Sequence, residues 1–226
     1  MTPILQSISK QHIGKEYNPN AKGDSISYSD VDNLVQHFPP CMRTLHYALK
    51  AEAHLKHFGR LQYGLFLKGI GLPVEEALIF WRKAFHKKSD DEFQKQYAYN
   101  VRYNYGMEGS RKNYAPYSCM KIITSNAPSS GDHHGCPFKH YSTDSLRDML
   151  INYGAPEAGV IEMTKLAKEG HYQIACTRYF ELTHGKAVEK TDDSSLGMDI
   201  IEHPNAWFDF SIKGVDKKTE KMELAD

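Results

Sequence analysis

Four cysteines offer the strongest chemistry in this chain, and no two of them form a Cys-x-x-Cys pair. Cys136 stands in Gly131-Asp132-His133-His134-Gly135-Cys136-Pro137-Phe138 and Cys119 in Tyr117-Ser118-Cys119-Met120, while Cys41 and Cys176 lie far from both. Iron–sulfur clusters are held by four thiolates and a Cys-Pro step recurs at them, so one reading gathers all four onto a single cluster. The other reading is four core cysteines, because cysteine is among the most buried residue types. Spacing alone leaves both open. A second set of residues could hold phosphate. Between positions 43 and 68 the cations are Arg43, Lys50, Lys56, Arg60 and Lys68, opposed only by Glu52, with His46, His54 and His57 among them. In a helix running from Lys56, that residue shares a face with Arg60 and Tyr63. Cations near a helix start, beside backbone N–H groups, make a seat for phosphates. Further on, Tyr97-Ala98-Tyr99-Asn100-Val101-Arg102-Tyr103 interleaves flat rings with an amide and a cation, the combination that holds single strands and nucleotide ends. Against this stands a solvated cationic face over core tyrosines.

The elements that must position these groups read as helices. Phe38-Pro39-Pro40 stops a short helix capped by Ser29 and starts another, which carries Cys41, Leu45, Ala48 and Leu49 on one stripe. Gly59 interrupts the pattern, and a further helix is expected over 60–70, ending near Gly69 and Gly71. Pro73 opens the next, with Val74, Ala77, Trp81 and Ala84 as its buried face. Ser89-Asp90-Asp91-Glu92 is a capping box leading towards Tyr103. Residues 105–140 are rich in Gly, Ser, Pro, Asn and Tyr. A loop of that length in a compact domain is either functional or pinned by something, and a metal centre would close it. Helices then resume, capped at Ser142 or Thr143, opened by Pro156, and with Tyr172, Cys176, Tyr179 and Phe180 on one side of the last. Residues 1–28 read as a flexible leader, 29–185 as the domain, and 186–226 as a largely disordered tail with a short docking motif at Trp207-Phe208. The fold class is mainly α, with long irregular loops and at most a small β-hairpin.

Composition sets outer bounds. With 226 residues, one domain plus a tail is expected. Lys and Arg number 28 and so do Asp and Glu, so any basic surface is local. Four scattered cysteines do not form a secreted disulfide scaffold. No apolar run approaches a membrane span and no signal peptide is visible, so the expected setting is soluble and intracellular, with no membrane partner.

Taken together these stretches resemble the C-terminal domain of the large, regulatory subunit of eukaryotic and archaeal DNA primase, on its eukaryotic branch. The resemblance rests on Phe38-Pro39-Pro40-Cys41-Met42, the run from His57 to Gly71, and Tyr97-Ala98-Tyr99-Asn100-Val101-Arg102. It also rests on Ser118-Cys119-Met120-Lys121-Ile122, Gly131 to Phe138, His171-Tyr172-Gln173-Ile174-Ala175-Cys176 and His203-Pro204-Asn205. It implies a helical domain organised around one 4Fe–4S cluster, with Cys41, Cys119, Cys136 and Cys176 as ligands. It implies a nuclear role in DNA replication. The domain would bind the DNA template and the 5′-triphosphate end of the RNA primer, and would assist the catalytic small subunit, which performs nucleotidyl transfer. Positions matching nucleic-acid or triphosphate contacts are His54, Lys56, His57, Arg60, Tyr63, Lys68, Asn100 and Arg102; Tyr97, Tyr99 and Trp81 are placed for stacking or redox roles. Lys56 departs from an arginine common in the family, which removes a bidentate contact there, and Trp81 equally suits a helix core. The family's N-terminal docking domain has no counterpart before residue 38, so the chain is read as a fragment. Contact with the small subunit and DNA polymerase alpha belongs to the full-length protein. The resemblance implies no enzyme in isolation. Two other classes compete with this reading. A structural zinc-binding interaction module would be expected to show Cys-x-x-Cys pairs. An enzyme in its own right would have only Asp132, His133 and His134 as a compact acid–base group.

Overall fold

The computed structural model describes residues 25–184 and 200–223, and every regular element among them is helical, with no strand. The expectations for the leader before residue 25 and for the tail at 186–199 and 224–226 lie outside the described residues, as does residue 185. No helix among the described residues is long and apolar enough to cross a membrane. The chain forms two compact units: 25–117 and 126–135 belong to the first, and 118–125, 136–184 and 200–223 to the second.

The first unit opens with α1 (Val31–Leu34) and a 3-10 turn, Val35–His37, which the extended Phe38 ends. Asp30, and not Ser29, precedes the helix, and its carboxylate instead accepts the Ser27 N–H at 3.1 Å. Helix α2 (Pro40–Glu52) begins where Pro40 fixes φ at a first-turn position and closes on Ala53 in the left-handed conformation, φ 57°. That left-handed residue, not Gly59, makes the break. Helix α3 (His57–Gly69) therefore starts earlier than expected, with Lys56 extended before its first turn. Gly59 lies inside α3 because a Cβ there would meet Leu45 Cδ2 at 3.3 Å, so its bareness serves the close approach of α2. Pro73 caps α4 (Val74–Ala84). The Ser89 side chain accepts the Glu92 N–H at 3.2 Å and starts α5 (Asp90–Phe93). A π turn at Gln94–Ala98 carries the chain on into α6 (Tyr99–Asn104). The core between these helices is aromatic: Tyr63, Phe66, Phe85 and Phe93 are at most 1 % exposed, and Trp81 stands edge-on to Tyr63, Phe80 and Phe85.

The second unit contains α7 (Cys119–Thr124), capped by Ser118, and α8 (Pro137–His140), preceded by Cys136. Helix α9 (Thr143–Asn152) follows, with Ser142 as its cap, then α10 (Glu157–Lys168) and α11 (Tyr172–His184). A last helix, α12 (Pro204–Glu223), docks through Trp207, which is 1 % exposed and packs against Tyr179 and Phe180. Leu146, Leu150, Met163 and Ile201 complete that core.

Candidate nucleic-acid interface and cysteine set

Helix α3 begins with cations and ends in the core, and this sets the first unit's site. His57 and Arg60, in its first turn, line a cavity of about 200 Å³ together with Tyr97 and Asn100 and the indole of Trp81. Arg60 lies face-on to Tyr97, 5.0 Å from the ring centroid, and donates through Nη1 to the Leu55 carbonyl at 2.7 Å. Burial pulls its pKa down from the ordinary value, while Tyr97 pulls it up. A guanidinium carries five donors in a planar fork, so one carbonyl contact leaves most of its recognition capacity. His54 sits beside the cavity, its ring 5.4 Å from Phe85 and 6.1 Å from Tyr97. Its pKa is lowered by burial first and then by Arg60, Lys88 and Lys56, with Glu52 opposing. A histidine surrounded by cations in this way stays neutral and can both donate and accept. Asn100 is exposed and ties itself down through a 3.2 Å bond from Nδ2 to the Gln96 carbonyl.

The remaining expected contacts are placed differently. Lys56 is exposed but donates to the Ser130 carbonyl at 2.8 Å and stands 4.0 Å from Asp132. Tyr63 is not at the surface: it is 0 % exposed and hydrogen-bonded to His46 Nδ1 at 2.8 Å, so it cannot meet a strand without the core opening. The reason is the direction of α3, whose cationic face turns into the protein one turn after Arg60. Trp81, 3 % exposed, serves the core and one wall of the cavity at once. Tyr99 is 45 % exposed and stacked on Tyr103. Arg102 pairs with Glu108 at 2.8 Å. The Lys68 ammonium is turned towards Asn104, Asn113 and Tyr114.

Tyr103, the last ring of the aromatic stretch, also lines the cavity, as do Asn104, Tyr114 and Tyr117, which spacing and composition did not single out as site residues. The available signal was the tyrosine content of the 105–117 loop. Asp132, His133 and His134 do not converge on one another's chemistry. Asp132 accepts the Ser129 N–H at 3.0 Å, His133 pairs with Glu52 at 2.7 Å, and His134 Nε2 meets the Asn126 carbonyl at 3.0 Å. Gln62 closes this loop, accepting the Gly135 N–H at 2.8 Å and donating to its carbonyl at 3.3 Å.

Cys41 lies on α2 in the first unit; Cys119, Cys136 and Cys176 lie in the second, at the start of α7, before α8 and within α11. All four are half-buried. The donor chemistry fits an iron–sulfur cluster, whose four irons each take one thiolate. The Cys136 carbonyl accepts the N–H groups of Lys139 and His140, each at 3.0 Å, which fixes the backbone that carries the thiol at the start of α8. Without metal, burial pushes the Cys136 thiol up to about 11. Among the described residues no three His, Cys, Asp or Glu side chains are grouped to hold a single metal ion.

Comparison with known proteins places the chain in a family. Residues 32–208 match the family described as the C-terminal domain of the eukaryotic and archaeal DNA primase large subunit. The chain is 47% identical over 216 residues to the DNA primase large subunit of Schizosaccharomyces pombe, covering 94% of this chain and 46% of that protein. It is 45% identical to the human DNA primase large subunit and 44% identical to that of the mouse, in each case over 211 residues. Those two matches cover 92% of this chain but 40% of the relative, so the chain spans less than half the length of the relatives it matches. On the family match, which includes all four cysteines and the whole cavity, this chain belongs to the family of C-terminal domains of the DNA primase large subunit.

Proposed function

We propose that this chain is the regulatory domain that holds a template–primer junction by the primer's 5′-triphosphate. It would thereby assist the catalytic small subunit in starting RNA primers during nuclear DNA replication. The observation that carries the reading is Arg60, held face-on to Tyr97 in a cavity it shares with His57 and Asn100. Arg60 would fork two triphosphate oxygens, His57 and Asn100 would donate single hydrogen bonds, and Lys56 would add charge on leaving Ser130. Tyr99, already exposed, would offer a stacking face. Nucleotidyl transfer is left to the small subunit, and contact with that subunit and with DNA polymerase alpha to the full-length protein.

Cys41, Cys119, Cys136 and Cys176 would hold one 4Fe–4S cluster. When bound, such a group supplies covalent cross-links between distant parts of the chain and a redox-active centre. A structural zinc site is the competing outcome of a metal analysis.

The test is binding of a primer–template junction with a 5′-triphosphate against the same junction with a 5′-hydroxyl, over a salt series. The triphosphate junction should bind more tightly. Arg60→Ala should weaken it by roughly 1–3 kcal/mol, as loss of a charge-assisted contact does, and should make the salt slope shallower by about one. Equal affinity for the two junctions would remove the proposal.

A further inference from the structure

Lys68 is an expected phosphate contact whose donors are already engaged. An ammonium group has three N–H bonds. In Lys68 they meet the Asn104 carbonyl at 2.7 Å, the Tyr114 carbonyl at 2.7 Å and the Asn113 side-chain oxygen. The group also lies 5.3 Å from the centroid of the Tyr105 ring. It stands at the C-terminal end of α3, eight residues beyond Arg60, which is a rise of about 12 Å along the helix. Lysine at that end also satisfies the sign of the helix dipole.

The three acceptors bracket one segment. Residues 105–117 leave α6, fold back and return, and Tyr114 and Tyr117 from this segment line the cavity. The return is tight. Gly106, at φ 75°, packs on the backbone of 111–113, and Gly109, at φ 58°, leaves no room for a Cβ against the Tyr103 ring. Around it the Tyr105 hydroxyl donates to the Leu72 carbonyl at 2.6 Å, and the Tyr103 and Tyr114 hydroxyls meet at 2.6 Å. Through Asn104 on one side and Asn113 and Tyr114 on the other, Lys68 ties α3 to both arms of this return.

We propose that Lys68 is a positioning residue: its ammonium clamps the 105–117 segment into place as the tyrosine wall of the cavity, and it does not itself bind phosphate. Lys68 is half-buried, and that burial draws its pKa down to about 8. The clamp rests on the proposed function for its consequence in binding, but not for its structural half.

Two measurements separate those halves. In the free protein, limited proteolysis or amide exchange of 105–117 should show the segment opening in Lys68→Met and, more weakly, in Asn113→Ala, which keeps the charge of Lys68. With the triphosphate junction, both variants should bind more weakly with an unchanged salt slope, Lys68→Met by roughly tenfold, the scale of one lost charge-assisted hydrogen bond. A slope shallower by about one in Lys68→Met would make Lys68 a phosphate contact and overturn the clamp. Unchanged protection of 105–117 in both variants would overturn it as well. If Lys68→Met does not fold, Asn113→Ala decides by the same two readouts. Should Arg60→Ala leave junction binding untouched, the binding function fails, yet the protection of the segment still decides the clamp.

Discussion

His46 is a buried base in the middle of an aromatic core, 3 % exposed, hydrogen-bonded to Tyr63 on one side and 3.6 Å from Asp32 on the other. Burial pulls its pKa down from 6.5 to about 4, with Asp32 raising it and Lys50 lowering it. The folded protein therefore holds the imidazole neutral, while the unfolded chain takes up a proton near pH 6.5. Stability from this residue is fully present above about pH 6.5 and is lost as pH falls towards 4. Between pH 7 and pH 5 the loss is on the order of 2 kcal/mol. Urea unfolding of the wild type and of His46→Gln at both pH values measures it: the wild type should lose that much more stability than the variant. Parallel losses would show that some other group titrates. The same pair explains why helical spacing misplaces Tyr63. Its distance in sequence from Lys56 and Arg60 is right for one helical face, but its partner is on another helix, and periodicity carries no information about that.

Helices were the legible part of this chain, and their ends were legible where a side chain makes them. Ser89 and Ser142 each cap through their own oxygen and Pro40 opens α2, as expected, whereas α7, capped by Ser118, and α8 fall inside the stretch read as a loop. The break between α2 and α3 was not legible because it depends on Ala53 in a left-handed conformation, which no local residue type announces. The loops were legible only as loops. Residues 105–117 are held by Lys68 and by paired tyrosine hydroxyls, and residues 126–135 by Gln62, Glu52 and Lys56, all partners distant in sequence. Helix α12 shows the same limit. Its charged composition reads as a tail with a docking motif at Trp207-Phe208; what composition did not give is the long helix or the partners of that motif, Trp207 stacking on Tyr179 at 5.7 Å and standing edge-on to Phe180 at 4.8 Å. Because that indole is a core residue, Trp207→Ala should cost about 3–5 kcal/mol, the range for deleting a large buried aromatic. Thermal unfolding of the variant followed by near-ultraviolet dichroism would register it. A shift no larger than a surface substitution gives would mean that α12 is only loosely attached.

At the scale of the whole molecule, charge is balanced and function is local. Equal numbers of cations and anions give no net charge to pull on a polyanion, so the proposed binding would draw on local groups such as those around Arg60. The proposed cysteine set would act at the largest scale. From Cys41 to Cys176 they span most of the domain, and the chain passes from one unit to the other just before Cys119 and again just before Cys136. One inorganic group bonded to all four would remove more chain entropy from the unfolded state than any single contact described above, since closure cost grows with the length of the loops closed. Anaerobically purified protein should therefore carry about four irons and about four sulfides per chain, with broad absorbance towards the blue. Cys136→Ser should lower both contents and bleach the colour. It should also lower the unfolding temperature by more than Cys→Ser at an ordinary half-buried site would. Colourless protein with one equivalent of zinc would replace the cluster with a structural zinc site. If instead the Cys136→Ser variant keeps its iron, its colour and its unfolding temperature, Cys136 is not a ligand; protein that carries neither iron nor zinc would make the four cysteines packing residues and leave the loops to Lys68, Gln62 and the tyrosines alone.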